Sequence, residues 1–265
     1  MRRVRIIGIG PGHPDQVTAE AVRAMNEVAY FLVPDKTADH AGTDGLLRAR
    51  EELCRRHLPE PPRFVTVRDP ERDRDDPSDY RRAVEDWHEA RAAAYERAML
   101  EHPGDVGFLV WGDPSLYDST LRVVERVLSR GRVTFDYDVI PGVSSLHLLA
   151  ARHRLVLNDI GTSLVVTTGR RLPAEAAAGN DNLAVMLDGS LRCRVLPDPS
   201  AWRVWWGANL GSPQEALASG RLDQVLDEIL QARAQVRSAA GWVMDTYLLR
   251  RAGRPVSGGG PTGSR

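Results

Sequence analysis

The chain has 265 residues and a formal net charge of −1, from 35 basic and 36 acidic residues. This length permits one large or two ordinary α/β domains, and either arrangement can bury a full core without disulfides or metals. Because the charges balance, no global field directs the chain toward nucleic acid or an anionic membrane, and we expect neither as a partner. A polyanionic small molecule would be met by local arginines, although pairs such as Arg170-Arg171 are also typical of a solvated surface.

The cysteines and histidines indicate neither a disulfide framework nor a metal site. Cys54 and Cys193 lie far apart without C-x-x-C spacing, which fits a reducing, cytoplasmic setting. His13, His147 and His153 do not stand at metal-ligand spacing with carboxylates or cysteines, so we expect no metal.

The amino-terminal MRRVRIIGIGPG is too broken by Gly and Pro for a signal peptide, and no other segment approaches transmembrane length.

The first half of the chain alternates between strand and helix patterns. Short apolar runs predict strands at 4–9, 28–33, 64–67, 108–111 and 135–140, and helical spacing predicts helices at 18–26, 44–57, 80–100, 120–129 and 144–153. The stretch 68–82, rich in charged residues and proline, is typical of an exposed loop. The run at 108–111 has no period-2 alternation, which indicates a parallel strand covered on both faces.

The regular alternation pauses at 154–161, which we interpret as a domain boundary. Beyond it, strands are predicted at 163–167, 183–187, 202–206 and 241–249, and an amphipathic helix at 222–239. The predicted fold class is α/β with two lobes, 1–155 and 156–251. A Gly/Pro/Ser-rich tail, 252–265, is expected to be disordered.

The strand at 108–111 runs directly into Gly112-Asp113-Pro114 and then into a helix. Open α/β sheets hold ligands at such carboxyl ends of strands. Gly112 lets a ligand approach the backbone, and the Asp113 carboxylate accepts hydrogen bonds from an amine or hydroxyls, which an adenosyl or aminoacyl group supplies. From this segment alone, a plain strand–loop–helix connection is an equally good interpretation.

Two further strand ends carry similar loops. The first, GIGPGH, invites a dinucleotide-binding interpretation, but His13 stands where that fingerprint requires its third glycine, and prolines stiffen the loop. A Gly/Pro turn without a ligand is the alternative there. The other loop ends in Ser144 and Ser145, whose hydroxyls and helix-start N–H groups suit a carboxylate or a ring nitrogen, although helix capping explains Ser144 equally well.

Three segments of the sequence resemble, in their order, the loops of the tetrapyrrole methylases, the class III S-adenosylmethionine-dependent methyltransferases. These segments are GIGPGHPDQVTAEAVRAM, WGDPSLY and VIPGVSSLHLLAARHRLVL. The resemblance extends to about Arg251. It implies two α/β lobes with the active-site cleft between them, a homodimer, and S-adenosylmethionine as methyl donor without a metal. The first glycine loop would face mainly the tetrapyrrole.

The resemblance also implies site residues, motif by motif. The cofactor contacts would be Pro11, Trp111, Gly112, Asp113, Leu116, Ser144, Ser145, Met186, Ala208, Asn209 and Leu210. The tetrapyrrole contacts would be Gly10, Gly12, Asp15, Arg170 and Arg171, with the two arginines pairing with carboxylate side chains of the macrocycle.

Longer strings, among them TTGRR and WGDPSLYDST, are similar to a member of the family from the oxygen-dependent cobalamin pathway. That similarity implies methyl transfer to ring carbon C-1 of precorrin-5, with loss of the C-20 acetyl group as acetate. Deacetylation needs a general base and an oxyanion donor, and we expect His13 as the base and Tyr117 as a donor or positioning group. A role in shaping the loops alone is an open alternative for both residues.

Two other interpretations stay open. A related methylase of the same fold would act on another tetrapyrrole, on ribosomal RNA or on a protein, and a macromolecular substrate would favour a basic face that the balanced charge does not indicate. A nucleotide-binding module without catalysis would use the Gly/Pro loops only to hold a ligand.

Overall fold

The computed structural model describes residues 1–35, 43–70 and 80–251. The predicted disordered tail and most of the predicted loop at 68–82 lie outside these ranges. The chain forms two compact units. The first comprises 1–148 with the short segments 211–213 and 240–242, and the second comprises 149–210, 214–239 and the described residues from 243 onward. The predicted division at residue 155 stays a prediction.

The first unit contains a five-stranded sheet in the order β3-β2-β4-β1-β5, with every neighbouring pair parallel. Its strands are β1 (Arg2–Gly8), β2 (Tyr30–Asp35), β3 (Phe64–Arg68), β4 (Val106–Val110) and β5 (Phe135–Ile140). The helices between them are α1 (Ala19–Asn26), α2 (Thr43–His57), α3 (Tyr80–Glu101) and α4 (Thr120–Ser129), and α5 (Ser145–His153) follows β5. This order differs from the 3-2-1-4-5-6 order of the dinucleotide-binding fold, in agreement with the interpretation of the first glycine loop.

The central strand β4 shows why the sheet is parallel and buried. All five of its residues are buried. Phe108 packs with residues of α3 and α4 on one face, and Leu109 packs with residues of α1 and α2 on the other. A strand covered on both faces needs apolar residues at every position, which is the pattern that the sequence shows.

The second unit contains a five-stranded mixed sheet in the order β6-β7-β10-β8-β9, in which only the β6–β7 pair is parallel. Its strands are β6 (Val165–Thr168), β7 (Asn182–Met186), β8 (Trp202–Ala208), β9 (Ala216–Arg221) and β10 (Asp245–Arg251). Two helices, α6 (Leu172–Ala177) and α7 (Leu222–Ala240), contribute Leu172, Leu222 and Ile229 to its core, beside the indoles of Trp202 and Trp206.

Two elements of the second unit were not predicted. Strand β9 has the sequence ALASGR, which lacks an apolar or β-branched run, and it forms through antiparallel pairing with β8. Helix α6 is only six residues long, too short to show a helical period. Both are therefore consequences of tertiary contacts rather than of local pattern.

Candidate functional site

The carboxyl ends of β1, β4 and β5 bring the three predicted loops together. An antiparallel bridge joins the first two loops, in which the Gly112 amide donates to the Gly10 carbonyl oxygen at 2.8 Å and the Gly10 amide donates to the Gly112 carbonyl oxygen at 3.3 Å. Both glycines have positive φ, 76° at Gly10 and 68° at Gly112. Glycine adopts this conformation without the steric cost that other residues meet.

The third loop reaches the other two at Gly142. A Cβ atom at Gly142 would overlap the carbonyl oxygen of Gly112 and would lie 2.8 Å from the carbonyl carbon of Gly8. A Cβ at Gly8 would in turn lie 2.6 Å from the Gly142 nitrogen. The close approach of three backbones therefore requires glycine at these positions for reasons of space.

The Asp113 carboxylate links the second and third loops. One oxygen accepts hydrogen bonds from the Ser115 amide (2.8 Å) and the Ser115 hydroxyl, and the other accepts one from the Gly142 amide (2.9 Å). Burial alone would raise the pKa of the Asp113 carboxyl, but these hydrogen bonds outweigh burial and hold that pKa below its usual value. Asp113 is therefore an anion that fixes loop geometry, and its predicted contact with the cofactor stays a prediction.

Ser144 lies just before α5 and is almost completely buried, at 2% exposure. Its hydroxyl is 2.7 Å from Nδ1 of His147, and it also accepts a long hydrogen bond of 3.4 Å from the His147 amide. The capping interpretation of Ser144 thus has structural support, and His147 is a partner that the sequence reasoning did not assign. The signal was present as a histidine three residues after the capping serine.

His13 caps the short turn of Pro14–Gln16. Its Nδ1 accepts a hydrogen bond of 3.1 Å from the Asp15 amide. A neutral imidazole with an accepting Nδ1 carries its proton on Nε2, so Nε2 of His13 is a donor in this tautomer. The Asp15 carboxylate forms an exposed ion pair with Arg56 (2.9 Å). To act as a base through its ring, His13 would first have to release this cap.

Tyr117 follows Leu116 on the second loop and adopts a left-handed backbone, with φ of 52°. Its side chain is 44% exposed. Trp111 behaves differently, because its ring packs against the core between β4, α1 and α2, and the Arg50 guanidinium lies 5.1 Å from the ring centroid. The indole nitrogen of Trp111 is buried without a hydrogen-bond partner in the described residues.

The second unit places Met186 at the end of β7, beside the turn that carries Arg170 and Arg171. The Gly169 amide donates to the Met186 carbonyl oxygen at 3.3 Å, so the ends of β6 and β7 lie side by side. Arg171 forms hydrogen bonds of 2.9 and 3.1 Å to Glu175, four residues further along α6. Arg170 is exposed.

Ala208, Asn209 and Leu210 form a buried turn at the end of β8, with exposures of 0%, 2% and 3%. The Asn209 amide donates to the Met244 carbonyl oxygen (2.9 Å), and the Met244 amide donates to the Asn209 side-chain oxygen (2.8 Å). These contacts bind the turn to the start of β10. The predicted contact of Ala208, Asn209 and Leu210 with the cofactor stays a prediction.

One further contributor to the first loop was missed. Gly211 has φ of 81°, and a Cβ there would lie 2.6 Å from the Gln16 side-chain oxygen and 2.9 Å from the His13 nitrogen. The segment 211–213 therefore packs directly against the first glycine loop, within the same compact unit. The Gly-Ser-Pro turn in the sequence was a local signal of a tight turn, but the partner lies some two hundred residues away in the chain.

The predicted site residues divide between the two units. The first unit holds Gly10, Pro11, Gly12, His13, Asp15, Trp111, Gly112, Asp113, Leu116, Tyr117, Ser144 and Ser145, and the second holds Arg170, Arg171, Met186, Ala208, Asn209 and Leu210. Over the described ranges, no group of three or more His, Cys, Asp or Glu side chains is arranged to hold a metal ion. No helix in that part of the chain combines the length and apolarity needed to cross a bilayer.

Comparison with known proteins places the chain in a family. The tetrapyrrole (corrin/porphyrin) methylases match residues 3–226, and the chain therefore belongs to this family of methyltransferases. A Sinorhizobium protein named precorrin-6A synthase (deacetylating) is 43% identical over 255 residues, which are 95% of this chain and 96% of that protein.

Solved structures agree with this membership. A putative cobalamin synthesis related protein (CobF) from Corynebacterium diphtheriae has a TM-score of 0.78 at 34% identity, covering 96% of this chain and 100% of that one. Uroporphyrin-III C-methyl transferase from Thermus thermophilus, complexed with S-adenyl homocysteine, has a TM-score of 0.55 at 22% identity, covering 94% and 97% of the two chains. The second likeness shows the fold alone.

Proposed function

We propose that this chain is a precorrin-6A synthase, which methylates precorrin-5 at C-1 with S-adenosylmethionine and releases the acetyl group as acetate in cobalamin biosynthesis. The observation that carries the proposal is the 43% identity to the Sinorhizobium precorrin-6A synthase over nearly the full length of both chains. The likeness to the Corynebacterium protein, which is described as cobalamin synthesis related, supports a role in cobalamin biosynthesis at 34% identity over the whole of that chain.

The three joined loops fit the methyl donor in their chemistry. Gly112 places no side-chain atoms at the strand end, and the space that a Cβ would take there is open, with its nearest contact 3.8 Å away at Ser144. Helix α5 begins directly after the third loop, and its first N–H groups favour an acceptor. When bound, S-adenosylmethionine supplies the methyl group that is transferred. We assign Pro11, Trp111, Gly112, Asp113, Leu116, Ser144, Ser145, Met186, Ala208, Asn209 and Leu210 to its binding.

The residues assigned to donor binding have different roles. Asp113 fixes the second loop against the third through the Gly142 amide, so it pre-organises the backbone that would contact the donor. Trp111 is a packing residue of the loop base, since its ring lies in the core beside Arg50. Ser144 is buried and bonded to His147, which holds its hydroxyl in one orientation.

Deacetylation requires water to attack the acetyl carbonyl and lose a proton as the C–O bond forms. The bond from the acetyl group to the macrocycle then breaks, and its electron pair stays on the macrocycle, where it is available for the bond to the incoming methyl group. We propose that His13 and Tyr117 serve this step. Because Nδ1 of His13 is engaged by the Asp15 amide, the geometry supports Nε2–H as a donor to the developing oxyanion better than it supports the base role expected from sequence. Tyr117 presents an exposed hydroxyl-bearing ring on the second loop.

The macrocycle would be met by Gly10, Gly12, Asp15, Arg170 and Arg171. The glycines let it approach the first loop, and exposed guanidinium groups suit its carboxylate side chains. Arg171 already pairs with Glu175, so pairing with a substrate carboxylate would compete with that contact. We also propose a cytoplasmic location and a homodimer, as the family resemblance implies; both cysteines are reduced and buried, which agrees with a reducing compartment.

Turnover of precorrin-5 with methyl-labelled S-adenosylmethionine tests the proposal. We expect label in a product that has gained one methyl group and lost its acetyl group, with one acetate released for each methyl transferred. Uroporphyrinogen III serves as the matched substrate control and should gain no label. Methylation of uroporphyrinogen III but not of precorrin-5 would assign the chain to another member of the family. Binding of S-adenosylmethionine without any transfer to a tetrapyrrole would favour the non-catalytic interpretation.

A further inference from the structure

Leu187 combines a left-handed backbone with an exposed apolar side chain. It follows β7 with a left-handed backbone, φ of 52°, and its side chain is 66% exposed. A leucine gains nothing from this conformation, since the left-handed region brings Cβ too close to the following carbonyl oxygen. A residue in such a region persists only when its surroundings over-determine it, and such residues concentrate at functional sites.

The next residue along the chain is anchored in the interior. The Asp188 side chain points inward and is almost fully buried, at 4% exposure. Its carboxylate accepts hydrogen bonds from the Tyr247 hydroxyl and from the Arg192 amide at 2.6 Å, and it occupies the space that a Cβ of Gly169 would need. Asp188 is therefore anchored inward just after the strand, while Leu187 before it is exposed.

The neighbours of Leu187 define what could cover it. The hydrogen bond between Gly169 and Met186 sets this turn beside the turn of Arg170 and Arg171. The turn that carries the exposed Leu187 therefore lies beside the turn that carries two exposed basic residues of the same unit. A flat apolar ring system with carboxylates on its rim matches both features, because the ring removes leucine surface from water while the rim carboxylates meet guanidinium groups.

We propose that Leu187 packs against the apolar face of the tetrapyrrole substrate and contributes to substrate selection. The proposal rests on the proposed function, which identifies the substrate as a tetrapyrrole. Asp188 acts as a positioning residue in this scheme, since it holds the turn but is itself buried.

Substitution of Leu187 separates a ligand contact from a structural one, because the two effects have opposite signs. Leu187→Gly relieves the left-handed strain, so the Tm should stay unchanged or rise by up to about 3 °C. Loss of the apolar contact should raise KM for precorrin-5 about tenfold or more. Asparagine tolerates the left-handed backbone but is polar, so Leu187→Asn should raise KM for precorrin-5 similarly. Methionine keeps an apolar side chain of similar size, so Leu187→Met should leave KM near its wild-type value.

Leu191 offers a matched control. It is also a leucine with left-handed φ, 51°, four residues further along, but it is buried at 1% exposure. Leu191→Ala should lower the Tm through loss of core packing and leave KM for precorrin-5 within about twofold when assayed well below its Tm.

Three results would overturn the inference while leaving the proposed function intact. One is a wild-type KM for precorrin-5 in Leu187→Gly or Leu187→Asn. Another is a loss confined to the affinity for S-adenosylmethionine, which calorimetry would show and which would make Leu187 a donor contact. The third is a change in sedimentation with Leu187→Asn, which would place the side chain at a subunit interface. Failure of the wild-type protein to methylate precorrin-5 would instead contradict the proposed function, and the inference with it.

Discussion

The strand-end loops of the two units are built by different means. In the first unit, backbones approach one another so closely that glycine is needed at Gly8 and Gly142, and the Gly10–Gly112 bridge uses positive φ at both positions. In the second unit, the loop after β7 is held by the carboxylate of Asp188, which is almost fully buried, whereas Asp113 of the first unit is only partly buried. Leu187 and Asn209 of the second unit adopt the left-handed backbone, as Tyr117 does in the first unit.

This difference has a consequence for recognition and for stability. The conformation of the glycine loops depends on the residue type itself, so the glycines in the sequence indicate where the site of the first unit lies. Loops fixed by a buried acid depend on partners such as Tyr247 and Arg192, which are distant or unremarkable in sequence. We therefore expect the first unit to be most sensitive to added atoms and the second to lost hydrogen bonds.

Gly142→Ala should have the largest effect. The new Cβ would overlap the Gly112 carbonyl oxygen and crowd Gly8, and all the crowded atoms are backbone, so the loops must separate. We expect methyl transfer to fall by more than about 100-fold and stability to fall by about 3 kcal/mol. Kinetic assays and urea unfolding measure the two effects. Gly189→Ala is the control, since among the described residues no atom beyond its two chain neighbours lies within 4 Å of the added Cβ. Equal behaviour of the two variants would contradict the packing argument.

Asp188→Ala tests the second unit. Removal of the carboxylate leaves the Tyr247 hydroxyl and the Arg192 amide without their acceptor and opens space beside Gly169. We expect a loss of about 3 kcal/mol in the free energy of unfolding. Asp223→Ala provides the comparison, because that residue is exposed and its carboxylate pairs with the exposed Arg221, so its removal should cost less. A loss at Asp188 no greater than at Asp223 would show that the buried acid does not hold the loop.

The charge of Asp113 predicts a pH dependence for the first unit. Its folded pKa lies below its usual value, so its stabilising effect is present above the unfolded pKa of about 3.9 and is lost as pH falls through the lower folded pKa. The wild-type protein should be more stable than Asp113→Asn at pH 6, and the gap should close as pH falls below about 4. Urea unfolding of both proteins across this range measures it. A gap that stays constant to pH 3 would mean that the charge does not stabilise the loops.

The smallest expected effect concerns the thiols of Cys54 and Cys193, which should not react with a disulfide reagent in the folded protein. Burial raises the pKa of Cys54 in the first unit and of Cys193 in the second to about 12, with the Asp188 charge adding to the effect at Cys193. At pH 8 both are thiols rather than thiolates, so a disulfide reagent should label neither in the folded protein. In dilute urea, the thiol that reacts first identifies the less stable unit. Prompt labelling without denaturant would contradict the burial of that residue.

The first unit was predictable in its elements, and the second only in part. Strand β4 is apolar throughout because both of its faces are covered, and Thr18 caps α1 through its hydroxyl, which accepts from the Ala21 amide at 3.0 Å. Strand β9 was missed because its sequence is neutral and its conformation comes from β8. The capping of the turn by His13 was also not foreseen, because the tautomer depends on a hydrogen bond that no pattern encodes.

By itself the sequence determined the α/β alternation, the buried parallel strands and the three glycine-containing loops, because apolar runs, helical spacing and glycine are local signals. Only the tertiary structure decided which glycines are required for space, as at Gly142, and which carboxylates hold loops, as at Asp113 and Asp188. It also decided that Leu187 is turned outward. These properties depend on contacts between segments far apart in the chain, and such contacts leave no period or spacing in the sequence.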